Sequence, residues 1–214
     1  MVFLSSSLFL TCTIMLLLAS CSNNSYFSKE GQTASAAGYS CPWGQGNITT
    51  QEYFNDVTIN GNETITQTTV KGRVTVNGTA TIENATLKKD LIVHGSATVK
   101  NSTIKNGAIV YGTITFDNVT TTNKVTVFGL LKAQKSTLHD VELYCSRGTI
   151  PLNYCSLSNI TIKVDDRQHE APVTIELLNT TVAGNITFSN GKGIVTLQGT
   201  SSIKGTMHGG TVSK

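Results

Sequence analysis

The chain has 214 residues, of which 33 are Thr and 17 are Asn, whereas charged residues make up only 14% and the net charge is +3. Charge this sparse excludes a disordered charged tail and a charged coiled coil, and it gives no electrostatic footprint for nucleic acid. The many Thr, Val and Ile residues favour β-strands, because branched side chains fit a pleated surface. The length allows one domain with a sizeable core.

Residues 1–20 are predicted to be a signal peptide. The apolar run over residues 8–18 is too short to span a bilayer as a stable helix but has the length of a signal-peptide core. It ends in Leu-Ala-Ser-Cys at residues 18–21, which resembles the lipobox of bacterial lipoproteins. The resemblance implies a lipid anchor on Cys21 without a spanning helix, and Ser22 after it resembles an outer-membrane sorting signal. An ordinary cleaved signal peptide, with Cys21 as a bystander, is the alternative.

Two segments are predicted to lead from the anchor into the folded domain, which spans residues 57–214. Residues 21–40 are polar and small with no periodicity, as expected of a lipidated N-terminus followed by a flexible tether. Residues 41–56 bring aromatic side chains just before the first repeat, and we predict that they form a cap that plugs the first coil. These aromatic residues are Trp43, Tyr53 and Phe54.

A repeat of 17 residues organises the domain from Val57 onward. Five consecutive repeats carry glycine at their fifth place, namely Gly61, Gly78, Gly95, Gly112 and Gly129. Glycine permits a corner with positive φ, or a close approach between two backbones. Later repeats carry insertions and restart at Val141, Ile160 and Ile186.

Apolar residues alternate with polar ones in three short bursts within each repeat, as in Val74-Thr75-Val76. A period of two indicates strands, and strands this short bury their apolar sides when wound into coils that stack about 4.8 Å apart. The sequence therefore predicts an all-β fold, a three-sided parallel β-helix of about eight coils. We expect it to be right-handed, because a left-handed hexapeptide helix needs multiples of six. An antiparallel barrel or sandwich would show no fixed register of glycine and apolar places.

The coil length and glycine placement over residues 57–140 resemble the bactofilin family of polymer-forming β-helix proteins. The resemblance implies a parallel β-helix and self-association end to end. Bactofilins are typically cytoplasmic scaffolds, whereas this chain begins with an export signal, so the resemblance carries over the architecture rather than a cytoskeletal role. An open β-helix also exposes unpaired strand edges, and we expect its C-terminal end to dock on a second copy or another envelope partner.

The fourth place of successive coils carries an aromatic ring, at His94, Tyr111, Phe128 and Tyr144. Rings that project outward would form a binding strip able to stack on sugar rings or on a partner protein. The alternative is a self-stacked ladder that stiffens one edge of the solenoid.

Places 15 to 17 of the regular repeats form a basic edge. Its cations are Lys71, Arg73, Lys88, Lys89, Lys105 and Lys124. This edge could meet the phosphates of envelope lipids or an anionic polymer. A solvated charged edge that prevents lateral aggregation is the alternative.

Cysteine use fits an exported chain. Cys145 and Cys155 lie close in sequence, and we expect them to form a disulfide in a compartment that permits such bonds. Cys41 also remains, so other pairings stay open. No zinc-binding spacing of cysteines occurs, and we predict neither a metal nor another cofactor.

Recognised catalytic motifs do not occur in the sequence: the histidines are dispersed, and there is no G-x-S-x-G, H-E-x-x-H or phosphate loop. The densest cluster of reactive side chains is an insertion that contains Asp165, Asp166, Arg167, His169 and Glu170. Paired acids with Arg and His resemble the β-helical polysaccharide enzymes, in which two carboxylates act as acid and base. A polar surface loop is the alternative.

We therefore expect a membrane-anchored lipoprotein of the bacterial envelope, a rigid scaffold or binding module rather than an enzyme. Its expected partners are the membrane, a second copy, or an envelope protein or glycan. A polysaccharide-binding or polysaccharide-degrading protein is the alternative. An ice-binding or adhesin-type surface protein is a remoter one, because Thr, Ser or Asn at place 6 and Thr at place 8 resemble the faces of some ice-binding β-helices. That array ends at Leu130 and Lys132.

Overall fold

The computed structural model describes residues 39–49, 52–145, 148–164 and 172–213, and of residues 39–49 it defines the backbone alone. Within these ranges every regular element is a strand, and no helix long and apolar enough to cross a bilayer is found. The chain makes about nine turns, numbered here as coils 1 to 9. Coil by coil, the strands are β1 (Tyr39–Thr49) and β2 (Glu52–Tyr53); β3 (Val57–Thr66) and β4 (Thr69–Val70); β5 (Val74–Val76), β6 (Thr79–Glu83) and β7 (Thr86–Leu87); β8 (Leu91–Ile104); β9 (Ala108–Thr121); β10 (Val125–Gln134) and β11 (Thr137–Leu138); β12 (Val141–Tyr144), β13 (Gly148–Asn153) and β14 (Ser156–Leu157); β15 (Ile160–Lys163), β16 (Val173–Leu178) and β17 (Thr181–Val182); β18 (Ile186–Phe188), β19 (Gly193–Gln198) and β20 (Ser202–Ile203); and, beginning a further turn, β21 (Met207–His208) and β22 (Gly210–Ser213).

The described strands pair only in parallel, each with its equivalents in the neighbouring coils. In the regular coils a residue pairs with the one 17 positions later, so that Val57 lies opposite Val74 and Val74 opposite Leu91. Places 1 to 4, 6 to 10 and 13 to 14 define what we call the first, second and third faces. They pair as separate ladders in coils 2 and 3, whereas in coils 4 to 6 the ladder runs from the first face to the second through the glycine at place 5. At about 4.8 Å per coil, nine coils make a solenoid about 43 Å long. The predicted parallel β-helix is confirmed, while its handedness stays a prediction.

The corner between the first and second faces is made by the predicted glycines, and we call it the glycine corner. A Cβ built on Gly112 would lie 2.1 Å from the carbonyl oxygen of Gly95 in the preceding coil. Gly112 also has a φ of +144°, a conformation that side chains rarely adopt. Both reasons for glycine anticipated from the repeat, positive φ and close approach, therefore hold at this corner.

The corner between the second and third faces uses left-handed residues at place 11, and we call it the asparagine corner. The residues with positive φ are Gln67, Asn84, Asn101, Asn118, Lys135, Tyr154 and Asn179, all between 45° and 55°. Asparagine tolerates this conformation better than most residues, because its side chain bonds locally to the backbone. Asn118 Nδ2 also donates to Asn101 Oδ1 at 3.0 Å, which links successive coils. Sequence analysis missed this corner.

Place 12, on the inner side of the asparagine corner, carries Ala85 and Val119 in coils 3 and 5 and a small polar side chain in the other coils from 2 to 9. The polar members are Thr68, Ser102, Ser136, Cys155, Thr180 and Ser201. Ser102 Oγ donates to the Lys100 carbonyl at 2.6 Å and accepts from the Ala85 amide of the preceding coil at 3.0 Å. These bonds satisfy backbone groups that the sharp turn takes out of the ladder.

Inward side chains at places 1, 3, 7, 9 and 14 form one continuous apolar core along the solenoid axis. Polar side chains take inward places at Thr121, which is 3% exposed opposite Ile104, and at Glu63. Glu63 is 2% exposed at a place that Ala80 and Ala97 occupy in the next two coils. The ladder around it is intact, so the backbone keeps its register at this carboxylate.

The segment 41–56 is a coil rather than the predicted cap. β1 pairs with β3 from Tyr39 opposite Val57 to Thr49 opposite Thr66, so the solenoid has one coil more than the predicted eight and begins inside the predicted tether. Phe54 is 63% exposed and plugs nothing, whereas Tyr53 packs against the core. The sequence did not predict this coil, because one extra residue between Pro42 and Gln45 moves Gly44 out of the fifth place.

The predicted disulfide between Cys145 and Cys155 is not formed, and both thiols are free. Cys155 belongs to the column inside the asparagine corner, where its Sγ donates to the Asn153 carbonyl at 3.2 Å. Cys145 follows β12 at the glycine corner, on another side of the same coil. Cys145 and Cys155 therefore lie at different corners of coil 7, and their side chains have different neighbours. Burial raises the pKa of both thiols.

Candidate binding surface

Four aromatic side chains stand on the first face beside the glycine corner. The ladder between β8, β9, β10 and β12 puts His94, Tyr111, Phe128 and Tyr144 directly opposite one another. Their ring centroids are 5.0, 4.9 and 4.3 Å apart in that order, with interplanar angles of 2°, 8° and 18°. The strand spacing of about 4.8 Å sets the ring spacing, so a ring at every coil produces a stack. The arrangement is therefore a self-stacked ladder.

Stacking leaves ring edges, rather than ring faces, open to a ligand. Tyr111 and Phe128 have another ring against each of their faces. Beyond Tyr144 the Lys163 ammonium lies 5.2 Å from the ring centroid and closes the ladder with a cation. Sugar rings bind aromatic residues through the ring face, so these two rings cannot bind a sugar by stacking.

The exposed ring edges belong to an apolar patch that surrounds the glycine corner. The patch consists of Ile109, Tyr111, Phe128 and Leu130, which are 38%, 49%, 38% and 54% exposed. It contains four of the seven large apolar side chains that are exposed in the described part of the chain. Contiguous apolar patches mark interaction surfaces more often than scattered apolar residues do.

Beyond the patch on the first face, Glu142 binds two lysines from neighbouring coils. Lys124 Nζ donates to Glu142 Oε2 at 2.6 Å, and Lys163 Nζ donates to Oε1. Tyr144 OH donates to the same Oε1 at 2.9 Å, so the ladder and this charged cluster are joined. Sequence analysis missed Glu142 and Lys163. Their signal was the register itself, which puts Lys163 at the fourth place directly after Tyr144.

The charged cluster favours the ionised form of the Glu142 carboxyl group. Hydrogen bonds from Lys124 and then Lys163 lower the pKa of Glu142 from 4.5 to about 2, although burial acts in the opposite direction. The hydrogen bonds to Glu142 and Tyr144 raise the pKa of Lys163. The Glu142 side chain is only 12% exposed, so its charge is far less screened than that of a surface carboxylate.

A polar groove of about 360 Å³ lies beside the charged cluster. Its lining includes Lys124, Asp140, Glu142, Asn159, Thr161, Asn185 and Thr187. One wall is a row of hydrogen-bonded residues. Asn159 Nδ2 donates to Asp140 Oδ1, and the backbone N–H of Asn185 donates to Asn159 Oδ1, both at 2.8 Å. The other wall presents the hydroxyls of Thr161 and Thr187. The volume lies within the range of small-molecule sites.

The structure divides the predicted basic edge into paired and exposed cations. Lys71 Nζ lies 3.2 Å from Glu52 Oε2 and 3.8 Å above the Phe54 ring, while Lys124 belongs to the charged cluster. The other cations of the edge are exposed and form no ion pair with the described residues. They are Arg73, Lys88, Lys89 and Lys105.

The Thr array of the second face is aligned over four coils, with Thr64, Thr81, Thr98 and Thr115 in one column. Lys132 is the next member and interrupts it. A longer hydroxyl column lies on the third face and runs through Thr69, Thr86, Thr103, Thr120, Thr137, Ser156, Thr181 and Ser202. Its length is that of the solenoid, as expected of a column that stabilises strand stacking.

Two further predictions fall outside the described residues. They concern the lipidation of Cys21 and the reactive cluster of Asp165, Asp166, Arg167, His169 and Glu170. Among the residues that the structure does describe, no group of three or more His, Cys, Asp or Glu side chains is placed to hold a metal ion.

The fold and this surface define the chain as a parallel β-solenoid with an aromatic ladder on its first face. Comparisons with models of protein families, with curated proteins and with solved structures find no match.

Proposed function

We propose that this chain is a lipoprotein of a bacterial cell envelope, held on the outer membrane by a lipid on Cys21, and that its solenoid is a rigid scaffold or binding module without catalytic activity. The observation that carries the binding role is the first face. There the ladder and the charged cluster hold side chains in fixed positions over five coils, from His94 to Lys163. A surface held in this way loses little side-chain entropy when a partner binds.

Rigidity is supported by the way in which the coils are joined. Backbone ladders connect every pair of neighbouring coils in the described part of the chain, and one core runs through coils 2 to 9. The last strands, β20 to β22, pair with the preceding coil and with no later strand in the described part of the chain. Val212 is 47% exposed at this end, which suits the expected docking of a second copy or an envelope partner.

The anchor is tested by changing the cysteine that would carry it. Cells that express the chain are fed a labelled fatty acid, and the label is expected on the wild-type chain and on Cys12→Ser but not on Cys21→Ser. The wild-type chain is expected in the outer-membrane fraction, and Cys21→Ser is expected to leave it. Equal labelling of Cys21→Ser, or an unlabelled wild-type chain, would contradict the proposal.

Polysaccharide binding is the second candidate, and the polar groove favours it. Hydroxyl, amide and carboxylate groups that project into one groove are the groups that recognise sugar hydroxyls. Thr161→Val with Thr187→Val should then reduce binding to a glycan found on an array, while Thr58→Val with Thr75→Val, on the same column but away from the groove, should not. Turnover of that glycan that Asp166→Asn abolishes would instead establish the enzymatic alternative.

A further inference from the structure

We propose that the first face of coils 4 to 6 lies flat on the surface of an anionic phospholipid bilayer. The inference deepens the proposed function, because it assigns the aromatic strip and the basic edge to one membrane-facing surface. It depends on the proposed lipid anchor for proximity to the bilayer and on the side chains of this face for the contact itself.

One border of this face is apolar. Tyr111 and Phe128 expose their side chains beside the glycine corner, with the two rings presented edge-on. Leu130 adjoins them across the corner, and Ile109 adjoins them from the centre of the face. A fully exposed large side chain has an accessible surface of about 150–250 Å², so at their exposed fractions the four side chains present on the order of 400 Å². A stable protein dimer buries about 800 Å² on each partner, so the patch alone is too small for a lasting contact with a second copy.

The opposite border of the same face is basic. Lys89 and Lys105 lie two and three residues before Leu91 and Ala108, so their exposed side chains stand beside the start of the first face in coils 4 and 5. Lys88 adds a further cation there, and Asp90 and, beside coil 7, Asp140 are acidic residues of this corner. Each lysine held near an anionic surface raises the equilibrium constant for docking about fivefold.

The centre of the face carries no acidic side chain between these borders. Its outward places are occupied by Ile92, Ile109 and Thr126, which lie directly opposite one another. The first acidic residue on this column is Glu142 in coil 7, and two lysines neutralise it. A flat strip with an apolar border, a neutral centre and a basic border matches the chemistry of an anionic bilayer surface, where apolar groups enter the acyl boundary and lysines meet phosphates.

The reach of the tether allows this contact. Eighteen residue steps separate Cys21 from Tyr39, where the first strand begins. Eighteen residues can extend to at most about 60 Å. Coil 5, the centre of the face, lies four coils or about 19 Å from coil 1 along the solenoid. A solenoid that lies on its side can therefore bring coils 4 to 6 to the bilayer that holds the anchor.

The test compares two tryptophan probes at the same height of the solenoid. Trp43 is the single tryptophan, so Trp43→Phe gives a silent background for Phe128→Trp on the first face or Thr137→Trp on the third face of coil 6. Each full-length lipidated chain is placed in vesicles of phosphatidylglycerol and phosphatidylcholine, with and without brominated acyl chains. We expect bromine to quench the fluorescence at position 128 and to leave position 137 unchanged.

Four outcomes are distinguishable. Selective quenching at position 128 that disappears in 1 M salt supports the proposal, because the screening length falls from about 10 Å to 3 Å. Equal fluorescence of both probes in brominated and plain vesicles overturns it, even if sedimentation shows that the chain is anchored. A blue shift at position 128 without quenching, together with a dimer in light scattering, also overturns it and assigns the face to a second copy. A chain that fails to sediment with vesicles and shows no quenching counts against both the anchor and the face.

The basic border is tested separately. Lys88→Gln, Lys89→Gln and Lys105→Gln combined should lower the docking equilibrium about a hundredfold at low salt, at about fivefold for each charge. Lys204→Gln, an exposed lysine at the same corner of coil 9, should leave it unchanged. If Phe128→Trp disturbs folding, as judged by circular dichroism, Leu130→Trp reports on the same border.

Discussion

Coils 2 to 6 and coils 7 to 9 make the same turn between the first and second faces in different ways. In the first group a single glycine at place 5 makes the turn and packs against the glycine of the preceding coil. In the second group longer segments replace it, between Tyr144 and Gly148, between Lys163 and Val173, and between Phe188 and Gly193. The ladder on either side continues unbroken through both groups. The core and the backbone hydrogen bonds between strands therefore set the strand register. The length of the corner segment changes only the number of residues that project from the solenoid.

This difference separates two kinds of surface. The tight corner holds neighbouring coils in identical positions, so outward side chains repeat and stack, as the aromatic ladder does. The looped coils carry the charged cluster and the polar groove, in which non-identical residues from several coils come together. Exact repetition gives a flat face suited to an extended partner, and irregular coils give a concave site suited to a small one.

The largest expected effect follows from adding one methyl group at each kind of corner. In Gly112→Ala the new Cβ would lie 2.1 Å from a backbone oxygen and φ would stay unfavourable, so we expect a loss above about 3 kcal/mol, or failure to fold. Gly191→Ala in a looped coil meets no atom within 4 Å and has only its φ of +72° to overcome, so we expect a loss of about 1 kcal/mol. Denaturant unfolding measures both, and equal losses would contradict the comparison.

The charged cluster should matter next, and its contribution should depend on pH. The pKa of Glu142 in the folded chain is about 2, below its ordinary 4.5, so its stabilisation is complete above pH 4.5 and disappears as the pH falls toward 2. We expect Glu142→Gln to cost about 1–2 kcal/mol at pH 7, since the two lysines are half-exposed and partly screened. The difference from wild type should shrink at pH 3. Glu176→Gln, in the looped coils but outside the cluster, is the control, and a pH-independent cost of Glu142→Gln would refute the assignment.

The asparagine corner allows a finer comparison between the two groups of coils. Asn101 has a φ of 45° and accepts a bond from Asn118, so Asn101→Ala should cost about 1 kcal/mol. Tyr154 has a φ of 55° at the same corner of coil 7 and is 57% exposed. Tyr154→Asn should therefore stabilise by up to about 1 kcal/mol. Thermal melts of the two variants should shift in opposite directions, and a shift in the same direction would show that the corner does not govern them.

Sequence periodicity was enough to predict the solenoid, because apolar residues recur at the core places and glycine recurs at the corner of coils 2 to 6. Coil 1 was not predicted because an extra residue at its corner shifts Gly44 out of the fifth place. The asparagine corner was not predicted because several residue types can take a left-handed φ. The aromatic strip was predicted at its four positions, but only the side-chain geometry distinguishes a stacked ladder from exposed ring faces. Glu142 and Lys163 come from repeats of unequal length, so their contact required the register across insertions.

The smallest expected effect concerns Cys155, whose place in the corner column explains why the predicted disulfide is not formed. Cys155→Ser should change stability by less than about 0.5 kcal/mol, because Ser102 and Ser136 make the equivalent backbone bond in the regular coils. Cys155→Val cannot donate to the Asn153 carbonyl and should cost about 1 kcal/mol. Alkylation of the unfolded chain without a reductant should label both Cys145 and Cys155 in the mass spectrum. An unlabelled pair that reacts only after reduction would show that the bond forms after all, and that the corner must open to allow it.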